Sequence, residues 1–425
     1  MFSIKFIKLF LFKENFNLIF LDQIIVSAGN FLISIIILRF LGLEDFGIFS
    51  FYWLFLFLIY GLQISYIISP MLTNAPKYKN SILNFFYGGI FFQQIIFTLL
   101  VSSIIFVSLN FLGNFNLGYK FSDYYLEFSL IIISTQLHQF IRRLLLSKKL
   151  YLRALLGDLL TYFPLTISMI CLNYLDLLSL ENVWWLIFYT FLFGFAVNFS
   201  IIISLKYRFK NTHEAIKENW IIAKWLLLTS LSQWFSGNLW LVNTGVILGP
   251  YIFGIIRACQ TLLNVLNIFF QSIENFIPAE ASKKFTSGGI KEMELYLIRF
   301  TRKYLIIILS IVILIILFSK YLLNFFYGLE TSNSNQILIY LSLIIPFHFL
   351  QYPLNYSFRT LGKTKPIFIA YSCSAIFALL TSKFIITNFK IQGLIFGLYA
   401  SQMLIITILY FSYYHLRKNI KKDLI

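Results

Sequence analysis

The sequence predicts an all-α polytopic membrane protein of about twelve transmembrane helices, in two six-helix bundles related by a pseudo-two-fold axis along the membrane normal. Three observations carry this: the composition, the placement of lysine and arginine, and a turn motif that recurs about half a chain apart. Of 425 residues 59% are hydrophobic and only 12% charged, about half the charge of a soluble domain. That excludes a water-soluble fold. At roughly 20 apolar residues per span the chain has room for about a dozen spans and little else. Cys171, Cys259 and Cys373 all sit inside apolar runs, as small core residues and not as a disulfide framework or a metal cluster.

The first residues punctuate Phe, Ile and Leu with Lys5, Lys8 and Lys13. This stretch is too short to span and has no small-residue cleavage site, so it reads as an interfacial amphipathic lead-in and not as a cleaved signal. Twelve longer apolar segments follow: Phe16–Leu41, Phe46–Ile68, Ile82–Leu109, Tyr125–Ile141, Leu155–Leu175, Val183–Leu205, Trp225–Ile247, Tyr251–Phe276, Tyr304–Phe326, Ile337–Tyr356, Ile367–Ile386 and Leu394–Tyr414. Their length argues for helices, since a spanning strand needs only about ten residues.

Lysine and arginine set the expected orientation. Of 34 such residues, all but Arg39, Lys120, Arg257, Lys320, Lys383 and Lys390 fall at the two termini or in every second loop. Arg142 and Arg143 count among them, in the loop after segment 4. The loop acids divide evenly, so the bias belongs to the cations alone, as the positive-inside rule requires. Both termini are therefore expected in the cytoplasm. The net charge of +17 is mostly this signal plus attraction to anionic headgroups, and it gives no support for nucleic-acid binding.

The turn after segment 1, Leu41-Gly42-Leu43-Glu44-Asp45-Phe46-Gly47-Ile48, and the turn after segment 7, Leu248-Gly249-Pro250-Tyr251-Ile252-Phe253-Gly254-Ile255, share L-G-x-x-x-F-G-I. Pro70 recurs as Pro278 at the far end of the following segment. Gly42 and Gly249 suit a helix end where φ must be positive. A repeat of six helices is even, so both halves keep one orientation, the parallel-repeat pattern of secondary transporters. The expected domains are an N-terminal bundle over 1–205, a cytoplasmic linker over 206–224 and a C-terminal bundle over 225–425.

No phosphate loop, zinc-protease or nucleophile-elbow motif occurs, and Ser357 stands where the Gly362-Lys363-Thr364 triplet would need its first glycine. No catalytic residue, metal ligand set or cofactor is expected. The informative residues are polar ones inside spans. Segment 1 carries Gln23, Ser27, Asn30 and Ser34 on one face; segment 7 carries Thr229, Gln233, Ser236, Trp240 and Asn243. Segment 8 carries Arg257, Gln260, Asn264, Asn267, Gln271 and Glu274 at a 3-4-3-4-3 spacing. Lipid would strand these groups, so they face other helices or water. Interhelical hydrogen-bonding glue is the alternative, and the six residues of segment 8 favour a wet cavity. Of the intramembrane charges, Arg39 can snorkel. Asp22 and Glu274 can pair with loop lysines, and Asp158 reads either as an ion-pair member or as a proton-coupling group. Arg257 is the functional candidate, because its equivalent one repeat earlier is Ser50. His138 and His348 read as satisfied interior histidines.

The twelve spans, the two halves and the Asn30–Leu41 stretch followed by Gly42…Phe46-Gly47-Ile48 resemble the Wzx-type O-antigen and polysaccharide flippases of the multidrug/oligosaccharidyl-lipid/polysaccharide exporter superfamily. The resemblance implies export of an oligosaccharide unit on a polyprenyl pyrophosphate, from the cytoplasmic to the outer leaflet of a bacterial inner membrane, by alternating access. It implies a basic patch in a cavity, at which Arg257 resembles the cavity arginines of related lipid-linked precursor flippases. Its partners would be that lipid, the bilayer and polysaccharide polymerase machinery, for O-antigen or capsule. A pyrophosphate needs a cation and its sugars need neutral hydrogen-bonding groups. Arg257, Asn264, Gln271, Gln233, Asn30 and Trp240 would supply both, with Asp22, Asp158 and Glu274 as coupling candidates. Two alternatives stay open: a drug/cation antiporter of the same superfamily, whose substrates favour acids, and an integral membrane glycosyltransferase or sugar polymerase, which needs larger outer loops than these.

Overall fold

In lipid a spanning backbone must satisfy its own hydrogen bonds, and this chain does so with helices throughout. The structure is a computed structural model that describes residues 14–78, 80–114, 123–207, 209–329 and 332–423. The lead-in with Lys5, Lys8 and Lys13 lies outside them. The helices are α1 (Glu14–Gln63), α2 (Ser69–Asn74), α3 (Asn80–Asn114), α4 (Tyr125–Ser147), α5 (Tyr151–Tyr174), α6 (Leu180–Val197), α7 (Phe199–Ile203), α8 (Phe209–Asn264), α9 (Leu266–Tyr327), α10 (Ser332–Thr360) and α11 (Lys365–Asp423). A π-helical stretch, Ile64–Ile68, joins α1 to α2. Among the described residues there is no strand. The chain is a multi-pass integral membrane protein, and among the described residues eight helical stretches are long and apolar enough to cross a bilayer.

Four of the long helices are bent by non-helical residues. Gly42 (φ 88°, ψ −178°) divides α1 and Gly249 (φ 85°, ψ 170°) divides α8. The two glycines of the repeated motif thus share one backbone conformation, in a region essentially reserved for glycine. Gly288 and Gly289 bend α9, and Lys390 (φ 50°) bends α11. The polar stretch Ala279–Lys303 is helical on both sides of the Gly288–Gly289 bend.

The chain forms two compact units, Met1–Ser230 and Leu231–Ile425. In the first, α1 packs on α5, and α4 packs on α3 and α6. Its apolar core gathers around Trp184, which is fully buried and stacks on Phe49 at 5.1 Å. The segment read as a linker is helical from Phe209 onward, and its first turns dock on the same unit. Asn74 Nδ2 donates to Asn219 Oδ1 at 2.8 Å and the Tyr78 hydroxyl to Glu218 at 2.5 Å. Burial and the facing Glu218 carboxylate push the Tyr78 phenol up, which keeps it the donor. In the second unit α10 packs between α9 and α11, over a core that includes Phe270, Phe300, Phe349 and Tyr356.

One helix corrects the sequence reading. Segment 4 was expected to end at Ile141, leaving Arg142 in a loop; α4 runs on to Ser147 and Arg142 is buried. The reason is that α4 is an interior helix. Its buried face carries Ser134, Thr135, Gln136, His138 and Arg142, which lower its hydropathy, and His138 and Arg142 find partners on neighbouring helices of the unit. It is the one helix of this length that falls short of a span by composition among the described residues.

Candidate functional site

Two polar constellations stand out, one in each unit. In the first, Asp22 on α1, Arg142 on α4 and Asp158 on α5 meet with all three side chains buried. Arg142 Nη2 bonds Asp22 Oδ2 at 2.5 Å, and its Nε lies 2.6 Å from Asp158 Oδ2. The second contact is a charge contact and not an aligned hydrogen bond, since neither atom has a hydrogen-bond partner. His138 Nε2 stands 3.5 Å from Asp158 Oδ1 and 3.1 Å from the Thr161 hydroxyl. Two carboxylates and one guanidinium leave one negative charge uncompensated when His138 is neutral. Asp158 is an ion-pair member, and its partner is Arg142. Asp22 also pairs with this arginine and not with a loop lysine. Asn30 lies in the same unit, where its Nδ2 donates to the Val26 carbonyl at 2.9 Å and reaches the Tyr162 hydroxyl at 3.4 Å.

The second constellation is a pocket of about 390 Å³ inside the second unit. Both arms of α8 contribute to it, with α10 and both arms of α11. Gln233, Arg257 and Asn264 of the expected set line it, together with Gln260. Arg257 is buried and donates from Nη1 to Gln260 Oε1 at 2.9 Å. Among the described residues no carboxylate pairs with it, and no aspartate or glutamate lines the pocket. The remaining members of the expected set lie elsewhere. Trp240 is fully buried with its indole N–H on Ser401 at 2.9 Å, so it stands behind the wall and not in it. The side chain of Gln271, like that of Asn267, lies outside the described residues. Glu274 pairs with Arg359 at 2.8 Å, half-exposed.

Residue-level reading of the sequence missed Arg142 in the first unit and Gln351, Tyr371 and Gln402 in the pocket. The signal for Arg142 was its spacing, four and seven residues beyond His138 and Thr135, which continues their face past the expected end of segment 4. Gln351 stands in a short stripe, three residues after His348 and four before Asn355, that the sequence reading passed over; the signal for Gln402 was weaker, because it continues no such stripe in its apolar segment. His348, read as a satisfied interior histidine, lines the pocket.

With this geometry in hand, comparison with known proteins is informative. A family model described as MatE matches residues 225–382. Among solved structures the chain is similar to the lipid II flippase MurJ in an inward closed conformation, with a TM-score of 0.70 and 15% identity over 93% of this chain and 87% of that one. It is similar to an inward-facing multidrug resistance MATE family transporter of the MOP superfamily, with a TM-score of 0.72 and 13% identity over 96% and 99% of the two chains. A third similar structure is a MOP superfamily transporter from Pyrococcus furiosus described as having a binding pocket of reverse polarity, at a TM-score of 0.65 and 11% identity over 93% of each chain. No curated protein matches the sequence. The fold is that of the MATE and MurJ transporters. The expected fold class of about twelve membrane helices stands with it, and these neighbours are transporters and flippases, not enzymes.

Proposed function

We propose that this protein is a flippase that moves a polyprenyl-pyrophosphate-linked oligosaccharide from the cytoplasmic to the outer leaflet of a bacterial inner membrane, by alternating access, in surface polysaccharide synthesis. The observation that carries the reading is Arg257: a buried guanidinium that, among the described residues, has no carboxylate partner and lines a pocket with no acid in its lining. An unpaired buried charge is costly unless it has a ligand to meet. A pyrophosphate is such a ligand, and guanidinium binds its oxygens bidentately. Both termini are placed in the cytoplasm by the cation bias. For coupling, the Asp22–Arg142–Asp158 cluster is the better candidate, because one proton would neutralise it, whereas Glu274 already has a solvent-accessible partner.

The second reading, a drug or cation antiporter, is favoured by the MatE match and by the multidrug transporter among the similar structures. Cationic substrates would favour acids in the pocket, and Arg257 repels them.

Deleting the gene tests the proposal. Lipid-linked units should accumulate on the cytoplasmic leaflet and surface polysaccharide should disappear. Normal arrival of those units at the outer leaflet, in a strain with no substitute flippase, would refute it.

A further inference from the structure

Past the bend at Gly288 and Gly289, α9 runs to Tyr327 without a further break. One face of this stretch is buried at Met293, Leu297, Phe300 and Ile308. The other is exposed at Leu295, Ile298, Arg302, Ile306, Leu309 and Ile313, at steps of three or four residues that keep them in one stripe. From Ile306 to Ile313 the stripe belongs to a stretch apolar enough to cross a bilayer, so its outward side chains face lipid. The stripe does not stop where the apolar run does. Leu295 and Ile298 extend it by two turns, each nearly half exposed. Three exposed cations surround them: Lys291 four residues before Leu295, Arg299 four after it, and Arg302 four after Ile298. The acids of the segment are engaged elsewhere. Glu294 pairs with Arg417 at 2.8 Å and accepts from the Tyr413 hydroxyl at 2.9 Å. Glu292 accepts from the Ser287 hydroxyl at 3.1 Å. Among the described residues no carboxylate pairs with Lys291, Arg299 or Arg302.

Water alone suits the three cations and not Leu295 and Ile298; hydrocarbon does the reverse. The headgroup layer of a membrane suits both, with phosphates for the cations and the acyl boundary for the apolar pair. The distances agree. An arginine at the edge of the hydrocarbon snorkels outward. At about 1.5 Å per residue, Ile298 and Leu295 lie about 6 and 10 Å beyond Arg302, against roughly 5–8 Å of headgroup layer on each side of the hydrocarbon. Ile298 thus falls within the layer and Leu295 at its outer edge. We propose that residues 290–303 form a binding site for anionic phospholipid, in which Arg299 and Arg302 hold headgroup phosphates, Lys291 adds charge, and Leu295 and Ile298 insert between the headgroups. A soluble acidic protein is the competing occupant. Lipid is favoured because the face continues, unbroken, the stripe that already meets lipid from Ile306 onward. The site is separate from the pocket and independent of what the protein carries.

The test uses the full chain, with Cys171 and Cys373 replaced by serine, in nanodiscs whose lipid is varied from phosphatidylcholine alone to phosphatidylglycerol alone. A nitroxide is attached at Leu295→Cys or Ile298→Cys, with Leu309→Cys as the lipid-facing reference. Its depth is read from its relative access to oxygen and to a neutral, water-soluble nickel chelate. As phosphatidylglycerol is added, the labels at 295 and 298 should lose nickel access and settle at headgroup depth, while the label at 309 stays deep throughout. Lys291→Gln, Arg299→Gln and Arg302→Gln should each raise the phosphatidylglycerol fraction that gives half the shift about fivefold, and the triple variant should show no shift. The single variants replace the triple one if it does not elute as a single folded species. Full nickel access at 295 and 298 in every lipid mixture, as a face kept for a soluble partner would show, would overturn the proposal. So would a shift that survives loss of the cations.

Discussion

Arg142 holds three helices of the first unit together through two carboxylates that have no water to turn to. Removing one partner of a buried ion pair leaves the others uncompensated and costs about 3–5 kcal/mol. Arg142→Ala should therefore unfold the protein in detergent at a distinctly lower temperature. Neutralising all three positions together, as Asp22→Asn, Arg142→Gln and Asp158→Asn, should recover most of that loss, because no lone charge remains. A thermal melt of the two variants beside the wild type checks this. Arg257 predicts the opposite pattern. It has no carboxylate to strand, so Arg257→Ala should leave membrane abundance near normal while export collapses, and Arg257→Lys should keep part of the activity, since a lysine lacks the bidentate fork. Surface polysaccharide measured against protein level separates this from an arginine that merely snorkels, for which both variants would export well. At this scale the sequence was half legible. Arg257 stood out because its repeat equivalent is Ser50 and a stripe continued from it. Arg142 did not, because a cation near the end of an apolar run looks the same whether it faces headgroups or turns inward to two acids.

Among the elements, the bends at Gly42 and Gly249 were legible for a physical reason. A positive φ with an extended ψ is open to glycine and strains any other residue, so a scarce residue type recurring in one motif marks a backbone requirement. A Cβ at either position meets nothing within 4 Å, so a substitution there costs only conformation. Gly42→Ala and Gly249→Ala should each lower stability by about 1–3 kcal/mol, and the double variant by the sum, since distant sites add. Thermal or denaturant unfolding of the three variants measures both points. The ends of the helices were less legible. Hydropathy reports which residues lipid tolerates, and it is silent on polar helix in water or inside a bundle. That is why α8 begins at Phe209 and not near Trp225, and why α4 extends past Ile141.

For the whole molecule, the fold class followed from amounts that no local ambiguity can overturn: too little charge for water, segments too long for strands, and an even-numbered repeat. The proposed orientation rests on the cations, 28 of 34 of which fall at the termini or in every second loop of the sequence reading. The inward placement of Arg142 removes one of them from that surface and leaves the bias intact. Cysteines placed at Thr212 and Thr331 should label from the cytoplasmic and the outer side respectively; the reverse at either site would refute the orientation.

The central claim is that the cargo is a lipid-linked diphosphate, and transport by the purified protein tests it most directly. Reconstituted in liposomes, the wild type should move a fluorescent polyprenyl-pyrophosphate oligosaccharide between leaflets, Arg257→Ala should not, and neither should move a lipophilic cation against its gradient. Cation transport by the wild type with the labelled lipid left in place would contradict the account.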